Sequence, residues 1–184
     1  LCKGELIMTM ALTAPSARYE AKAVQVEAKA DGDHYIISGT KLFVNDANVA
    51  DKMIVVARTA KKQHPEEGIT LFLVDGKAHG VEVHLLKTIA GDKQCEVTFD
   101  KVKVPKADVL GKVDHGWEIV KKVMEWAALA KSAEMQGGAQ QVLEMTIQYG
   151  KDRVQFDRPI GSFQILQHYM ADMSIDVDSA RVSL

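Results

Sequence analysis

The sequence has little cysteine: only Cys2 and Cys95, far apart and without CxxC spacing. That usage suits free thiols in a reducing compartment rather than a disulfide framework. Its six histidines are scattered, with no HxxxH or HExxH pair, so no metal site is expected. Basic stripes are missing as well, and the formal net charge is −2, which gives no reason to expect nucleic acid as a partner. No apolar run approaches the roughly 20 residues that a membrane span requires. The opening "LCKGELIMTMAL" has neither an initiator Met nor a signal-peptide n-region, and Lys3-Gly4 reads like the tail of a helix. The close, "DSARVSL", falls inside a periodic segment without a cap. Both ends read as cut, and the expectation is an internal piece of a longer, soluble, intracellular protein.

What is present is ample apolar material, 47% of 184 residues, enough for one large domain or two small ones. To about Gly111 the pattern is β. "VQVEAKA", Val24 to Ala30, alternates apolar and polar residues as a half-buried strand does. "DGDHYIISGTKLFV" adds a turn at Asp31-Gly32-Asp33 and a strand through Tyr35, Ile36 and Ile37. "MIVVAR", "ITLFLV", "VEVHLL" and "CEVTF" follow at short intervals, with no helical segment between them. Such spacing predicts an antiparallel sandwich or barrel and excludes βαβ units.

After "VPKADVLGKVDHG" the period changes. From Trp117 to about Lys151 the chain is rich in Ala, Met, Glu, Lys and Gln, all good helix formers. Beyond it, Phe163, Leu166, Met170, Met173, Val177, Ala180 and Leu184 step by three and four, one apolar stripe of a second helix. Core packing against bundle partners, the preceding helix among them, is the plain explanation of that stripe. The expected class is therefore α+β with segregated domains: a β domain, then the opening helices of a bundle.

Between the two helices lies "RVQFDRPIGSFQ", Arg153 to Gln164. Pro159 and Gly161 suffice for a bend. The arginine, the aromatic and the glutamine ask for a separate reason. An arginine fork suits two phosphate oxygens and keeps its charge at any working pH. Alternatively, Arg153 is a surface cation capping the C-terminus of its helix.

Four stretches in order, "MALTAPSARYE", "DGDHYIISGTKLFVNDANVAD", "FDKVKVPKADVLG" and "YGKDRVQFDRPIGSFQILQHYMADM", together resemble the acyl-CoA dehydrogenase family. They are similar to its flavin-loop pattern, its Gly-x-Lys-x-Trp-Ile-Thr-Asn segment, its F-x-x-V-x-V-P run and its Arg-x-x-Phe-Gly, Phe-Gln and Ala-Asp-Met signature. The resemblance covers essentially the whole chain. It implies that residues 1–8 end an N-terminal helical domain, 9–112 form the middle β domain, and 113–184 begin a four-helix C-terminal domain with long antiparallel helices. It further implies FAD as cofactor, an acyl-CoA substrate, an electron-transferring flavoprotein as electron acceptor and a homotetramer. The location would be the bacterial cytoplasm or the mitochondrial matrix.

Carried over residue by residue, the resemblance places Met10, Ala11, Leu12 and Thr13 along the flavin, with the Thr13 hydroxyl and neighbouring backbone N–H groups donating toward the pyrimidine edge. Donors there stabilise the charge that builds on reduction. Phe43 stands in the tryptophan position over one flavin face, followed by Val44 and by Asn45, whose amide replaces a threonine near flavin N5. Arg153, Gln155, Phe156 and Gln164 would line the cofactor of a neighbouring subunit. Tyr19, Glu125 and Ala128 fall at substrate positions. Departures are plain: Ala14 for Glu, Ser16 and Arg18 for Gly, Tyr19 for Ser, and Ala128 where many members carry a CoA-contacting arginine. Arg18 could serve a phosphate or obstruct a turn that glycine makes easily.

The chemistry needs a carboxylate to take the acyl α-proton. Most family members place it beyond the point corresponding to Leu184, and a minority at the position of Ala127. Glu125, two residues away, faces roughly 200° from it at about 100° per residue. No catalytic residue is assigned in this chain. Two other classes stay open: another flavin enzyme of the same fold, like a nitroalkane oxidase or monooxygenase, and a catalytically silent structural homologue.

Overall fold

In a computed structural model that describes residues 2–184, the first half is one eight-stranded sheet. Its strands are β1 (Met8–Ala11), β2 (Glu27–Asp31), β3 (His34–Asn45), β4 (Lys52–Arg58), β5 (Ile69–Asp75), β6 (Val81–Leu86), β7 (Gln94–Pro105) and β8 (Val109–Leu110). The order is β6-β7-β3-β2-β4-β5-β8, with β1 added beside β4. Contacts divide the chain into one unit up to Lys121 and another from Lys122 to Leu184.

The sheet is mainly antiparallel, as the strand spacing predicts, and becomes mixed where two strands run parallel to β4. β1 runs parallel to β4, Met8 to Ala11 opposite Lys52 to Val55, and β2 meets the same strand in parallel at Glu27 and Arg58. Two short strands thus share one edge of β4. Parallel neighbours need a long connection, and residues 12–51 supply it. The strand expected over Val24 to Ala30 begins only at Glu27. A single 3-10 turn occupies Ala21–Ala23, yet Val24 and Val26 are still buried while Gln25 is exposed.

Curvature closes the sheet over its own core. β3 and β5 are three strands apart in the order, roughly 14 Å on a flat sheet at 4.7–4.9 Å per strand. Nevertheless the rings of Tyr35 and Phe72 meet edge to face with centroids 5.0 Å apart. Between and around them lie Ile37, Val44, Met53, Val55, Val97 and Phe99, all buried. The pairing of β3 with β7 carries two irregularities, between Ile37 and Gly39 and between Lys41 and Val44. In the first the extra residue is on β7, in the second on β3, so the strands return to their starting register. Bulges of this kind bend a strand and increase its twist.

The first helix, α1 (Gly116–Asp152), starts in the first unit, where Trp117 and Val120 are buried. Asp114 anchors this start: its carboxylate accepts from Thr59 Oγ1 at 2.6 Å and pairs with Lys62 at 2.9 Å, and its N–H donates to Thr70 Oγ1. These partners, Thr59 first, hold the Asp114 carboxyl below its usual range. In the second unit, the rest of α1 and α2 (Gln164–Ser183) lie side by side in opposite directions. Tyr149 and Gly150 share a groove of about 510 Å³ with Gly161, Leu166, Met170 and Met173. Near the other end of the pair, Leu129 and Met135 line a second groove with Ala180 and Leu184. The predicted stripe is recognisable: Phe163, Leu166, Met170 and Met173 are half-buried and Val177 is buried, whereas Ala180 and Leu184 are exposed. The link between the helices is more than a bend. It contains a hairpin, β9 (Val154–Gln155) and β10 (Arg158–Pro159).

Arg58 holds the loops at one end of the first unit. Its guanidinium donates to the carbonyls of Ala21 at 2.6 Å, Val24 and Pro65 at 3.2 Å and Glu67 at 3.3 Å. A planar five-donor fork can reach separate segments in this way, and an ammonium cannot. Replacing Arg58 with Met is expected to destabilise the protein by about 2–4 kcal/mol in urea unfolding, because charged hydrogen bonds to carbonyls are lost together. Arg58→Lys should recover less than half of that loss. Full recovery by lysine would show that charge, not the fork, is what matters.

Candidate functional site

Most of the residues expected along the flavin fall in the first unit, on two adjoining segments. Strand β1 delivers Met10 and Ala11 to its end, and Leu12 and Thr13 continue without regular structure. This loop is fastened to β3. The Leu42 N–H donates to the Thr13 carbonyl at 2.9 Å, and Lys41 Nζ donates to the Leu12 carbonyl at 2.7 Å. Met10 to Thr13 and Phe43 to Asn45 are therefore neighbours, as one ligand touching both would require. Ala11 and Val44 turn their side chains into the core, which leaves only their backbones available.

Thr13 is 6% exposed. Among the described residues neither its N–H nor its hydroxyl donates to a protein acceptor. No buried side-chain polar atom among the described residues lacks a partner, so the Thr13 hydroxyl keeps access to the surface, and with the Thr13 N–H it leaves two donors free for an acceptor. Phe43 stands beside it in an unusual state. Its φ is +55° and the residue is 46% exposed, in the middle of the bulge on β3. A left-handed backbone at a bulky residue costs on the order of 1–3 kcal/mol and persists where the surroundings impose it. Here the bulge turns the phenyl ring out of the sheet. Asn45 is also exposed.

The next part of the loop answers the doubt about missing glycines. Ala14 to Ala17 form a turn closed by the Ala17 N–H on the Ala14 carbonyl at 2.8 Å. The left-handed residue is Ala17, at φ +53°, and neither Ser16 nor Arg18 needs a glycine backbone. Arg18 and Lys22 both pair with Glu20, at 4.0 and 2.8 Å. Lys22 foremost, with Arg18 a smaller contributor, lowers the Glu20 carboxyl below its usual range. Tyr19 is 62% exposed at the loop's end.

The remaining candidates lie in the second unit. Arg153 ends α1's neighbourhood with its N–H on the Tyr149 carbonyl, and its carbonyl accepts from the Ile160 N–H. Its side chain is exposed and makes no ion pair or hydrogen bond among the described residues, so it is a surface cation at the C-terminus of α1 that caps no carbonyl there. Phe156 and Asp157, at φ +53° and +61°, form the two-residue loop of the hairpin, a type I′ turn. That leaves Phe156 85% exposed with its ring edge-on to Phe163, while Arg158 stacks on the Phe163 ring at 4.1 Å. Gln155 donates to the Val154 carbonyl and Gln164 is exposed at the start of α2. Glu125, Ala127 and Ala128 are exposed on α1.

Sequence reasoning passed over Lys41. It is completely buried, and it is the only charged side chain so placed among the described residues. Its only hydrogen bond among the described residues is to Leu12, and burial alone pushes its ammonium down to about 7. A signal was present: Tyr35, Ile37, Gly39 and Lys41 share one face of an alternating strand.

Two family models match in tandem, the acyl-CoA dehydrogenase middle domain over residues 9–102 and the acyl-CoA dehydrogenase C-terminal domain over residues 114–184. The chain belongs to the acyl-CoA dehydrogenase family. It is 34% identical to the 3-(aryl)acrylate reductase of Clostridium sporogenes over 99% of this chain and 49% of that protein. It is 35% identical to the short/branched chain specific acyl-CoA dehydrogenase of Bos taurus mitochondria, over 97% of this chain and 42% of that one. Among solved structures, an acyl-CoA dehydrogenase from Geobacillus kaustophilus superposes with a TM-score of 0.92 at 28% identity, covering 97% of this chain and 48% of that one. The chain thus spans less than half the length of these relatives.

Lys41 gives a pH test of the fold around this site. Unfolded, it keeps its proton to its ordinary value near 10.5; folded, it releases it at about 7. Between those values the unfolded state binds more protons, so stability rises with pH across the window. Below about 7 the buried charge is carried in full. Urea unfolding at pH 6.5 and pH 9 is expected to show a gain in wild-type stability that Lys41→Met lacks. Equal pH slopes in the two proteins would mean that Lys41 is solvated.

Proposed function

We propose that this chain forms the middle domain and first C-terminal helices of an FAD-dependent acyl-CoA dehydrogenase, which removes the α and β hydrogens of an acyl-CoA thioester and passes the electrons to an electron-transferring flavoprotein. The observation that carries the reading is the nearly buried Thr13, with two free donors, fastened next to an outward, left-handed Phe43. Donors beside an exposed aromatic face are what a flat, acceptor-edged ring system needs. The residues fit the flavin.

Bound FAD supplies a two-electron acceptor for the hydride leaving the substrate β-carbon. The Thr13 N–H and hydroxyl stabilise negative charge at the pyrimidine edge by donating to it. The Phe43 ring covers one face and keeps water from it, and Asn45 offers an amide beside it. Arg153, whose charge is unengaged within the described residues, suits a pyrophosphate presented by another subunit. The α-proton falls to a carboxylate that is not assigned to this chain: Ala127 has none, and Glu125 belongs to a different face of α1. Exposed Trp126, Leu129, Met135 and Ile165 in the second unit support assembly with further helices and a homotetramer.

The reductase among the relatives favours a second direction for the same chemistry, hydrogen addition to an α,β-unsaturated acyl group. Anaerobic titration of the full-length flavoprotein separates the two. Bleaching of the flavin bands by one class of acyl-CoA establishes the dehydrogenase. Reoxidation of the chemically reduced protein by an unsaturated acyl compound, without bleaching by any saturated one, establishes the reductase. Bands unmoved by either would place the chain with other flavin chemistry of this fold, and no flavin after reconstitution would leave a structural homologue.

Phe43→Gly tests the carrying observation. Glycine relieves the left-handed strain, so the apoprotein is expected to be as stable as wild type or more so, by up to about 1 kcal/mol. FAD affinity should nevertheless fall at least tenfold, of order 1.4 kcal/mol of lost stacking. Unchanged affinity would remove Phe43 from the site.

A further inference from the structure

A buried lysine that meets no carboxylate and makes one hydrogen bond, to a backbone carbonyl, needs a reason. Lys41 is 0% exposed, and among the described residues its Nζ has the Leu12 oxygen, 2.7 Å away, as its sole partner. Core filling alone would be served better by Met or Leu, which carry no amine to desolvate. What the amine adds is a direction for the peptide it holds.

Every peptide bond described is trans, so within one plane the N–H points opposite to the C=O. The Leu12 carbonyl is drawn inward by Lys41, and the Thr13 N–H of the same plane is thereby turned outward. The next plane is fixed in the same way: the Thr13 carbonyl accepts from the Leu42 N–H at 2.9 Å, turning the Ala14 N–H away from β3. Neither outward N–H has a backbone acceptor among the described residues. Leu12 and Thr13 lie outside the β1 ladder, so no sheet pairing holds these planes. Only β3 does, once through a backbone N–H and once through a side chain long enough to cross from the strand to the loop.

We propose that Lys41 is a positioning residue for the flavin: by capturing the Leu12 carbonyl it aims the Thr13 N–H at the acceptor atoms of the isoalloxazine pyrimidine edge. The inference rests on the FAD reading above, and adds to it the residue that sets the donor's direction without touching the cofactor. Loss of the capture frees the peptide plane to rotate, so the donor is ordered only when FAD binds. Affinity then falls by the cost of that ordering. Reduction suffers more than binding, because charge on the reduced ring depends most on an oriented donor.

The test uses the full-length protein with Lys41→Met, which keeps the length and apolar stem of the side chain and removes the donor, and Lys41→Gln, which keeps an N–H. Wild-type binding of FAD is measured first; its absence overturns the FAD reading and this inference with it. Given binding, Lys41→Met is expected to melt cooperatively as apoprotein and to exchange backbone amide hydrogens faster over residues 10–16. Its FAD dissociation constant should rise about tenfold and its flavin reduction potential should become more negative. Lys41→Gln should recover part of each change. A folded Lys41→Met with FAD affinity within about twofold of wild type and an unchanged potential would overturn the positioning role while leaving FAD binding intact. So would equal behaviour of the two variants, or loss of a cooperative melt in both, which would make Lys41 a core group only.

Discussion

The long ribbon of β3 and β7 sets the geometry on which the site depends. Each strand has twelve residues, and each contributes one extra residue at a different point. The two irregularities offset each other, so the ribbon keeps its register at both ends while its middle is reshaped. On β3 the inserted residue changes the alternation. Lys41 and Val44 both point into the core although they are three apart, and Phe43 between them is forced outward with a left-handed backbone. A regular strand would put residues 41 and 43 on the same face. The bulge is thus what places a buried cation under the loop and an exposed ring beside it within three residues.

Burying that cation carries a cost that the fold meets in part by letting the proton go. With no opposing carboxylate, desolvation lowers Lys41 to about 7, close to neutrality. A neutral amine still donates, so the bond to Leu12 survives deprotonation. Arg58 solves a related problem elsewhere in the unit differently. Its delocalised charge stays, and four carbonyls on separate segments share it. Both residues serve the same purpose, tying irregular backbone to a strand through carbonyls that no ladder reaches.

The legible parts were those set by local periodicity. The composition of Trp117 to about Lys151 predicts a helix, and α1 runs Gly116–Asp152. The stripe from Phe163 to Val177 packs as its three-and-four spacing requires. Parallel pairing of β1 and β2 with β4 could not be read, because which edge a strand joins is decided by the path of the whole connection. The same holds for Lys41: its inward phase was visible in the alternation, but its partner lies 29 residues away on a loop without pattern. The hairpin at Phe156-Asp157 escaped because its turn lacks the Asn-Gly or Asp-Gly pair that announces type I′. The motifs placed the candidate residues; only the fold shows which of them offer side chains and which, like Ala11 and Val44, offer backbone alone.

Phe43 and Phe156 share a property that burial and propensity do not explain. Both are aromatic, both are exposed and both hold positive φ, at +55° and +53°. Apart from the edge-on contact of Phe156 with Phe163, an aromatic residue gains little in stability from such a place: it loses the burial that would reward its area and adds backbone strain. Glycine or asparagine would serve the bulge and the turn better. The surrounding structure imposes the two conformations by different means, a bulge in a ribbon and a two-residue hairpin loop. Their common result is a ring held out from the surface with little freedom to fold back. Strain spent to hold an apolar face in solvent is intelligible when that face is covered in the working state. On this ground each of the two phenylalanines, within its own unit and on unrelated local structure, is the kind of ring that a covering partner would engage.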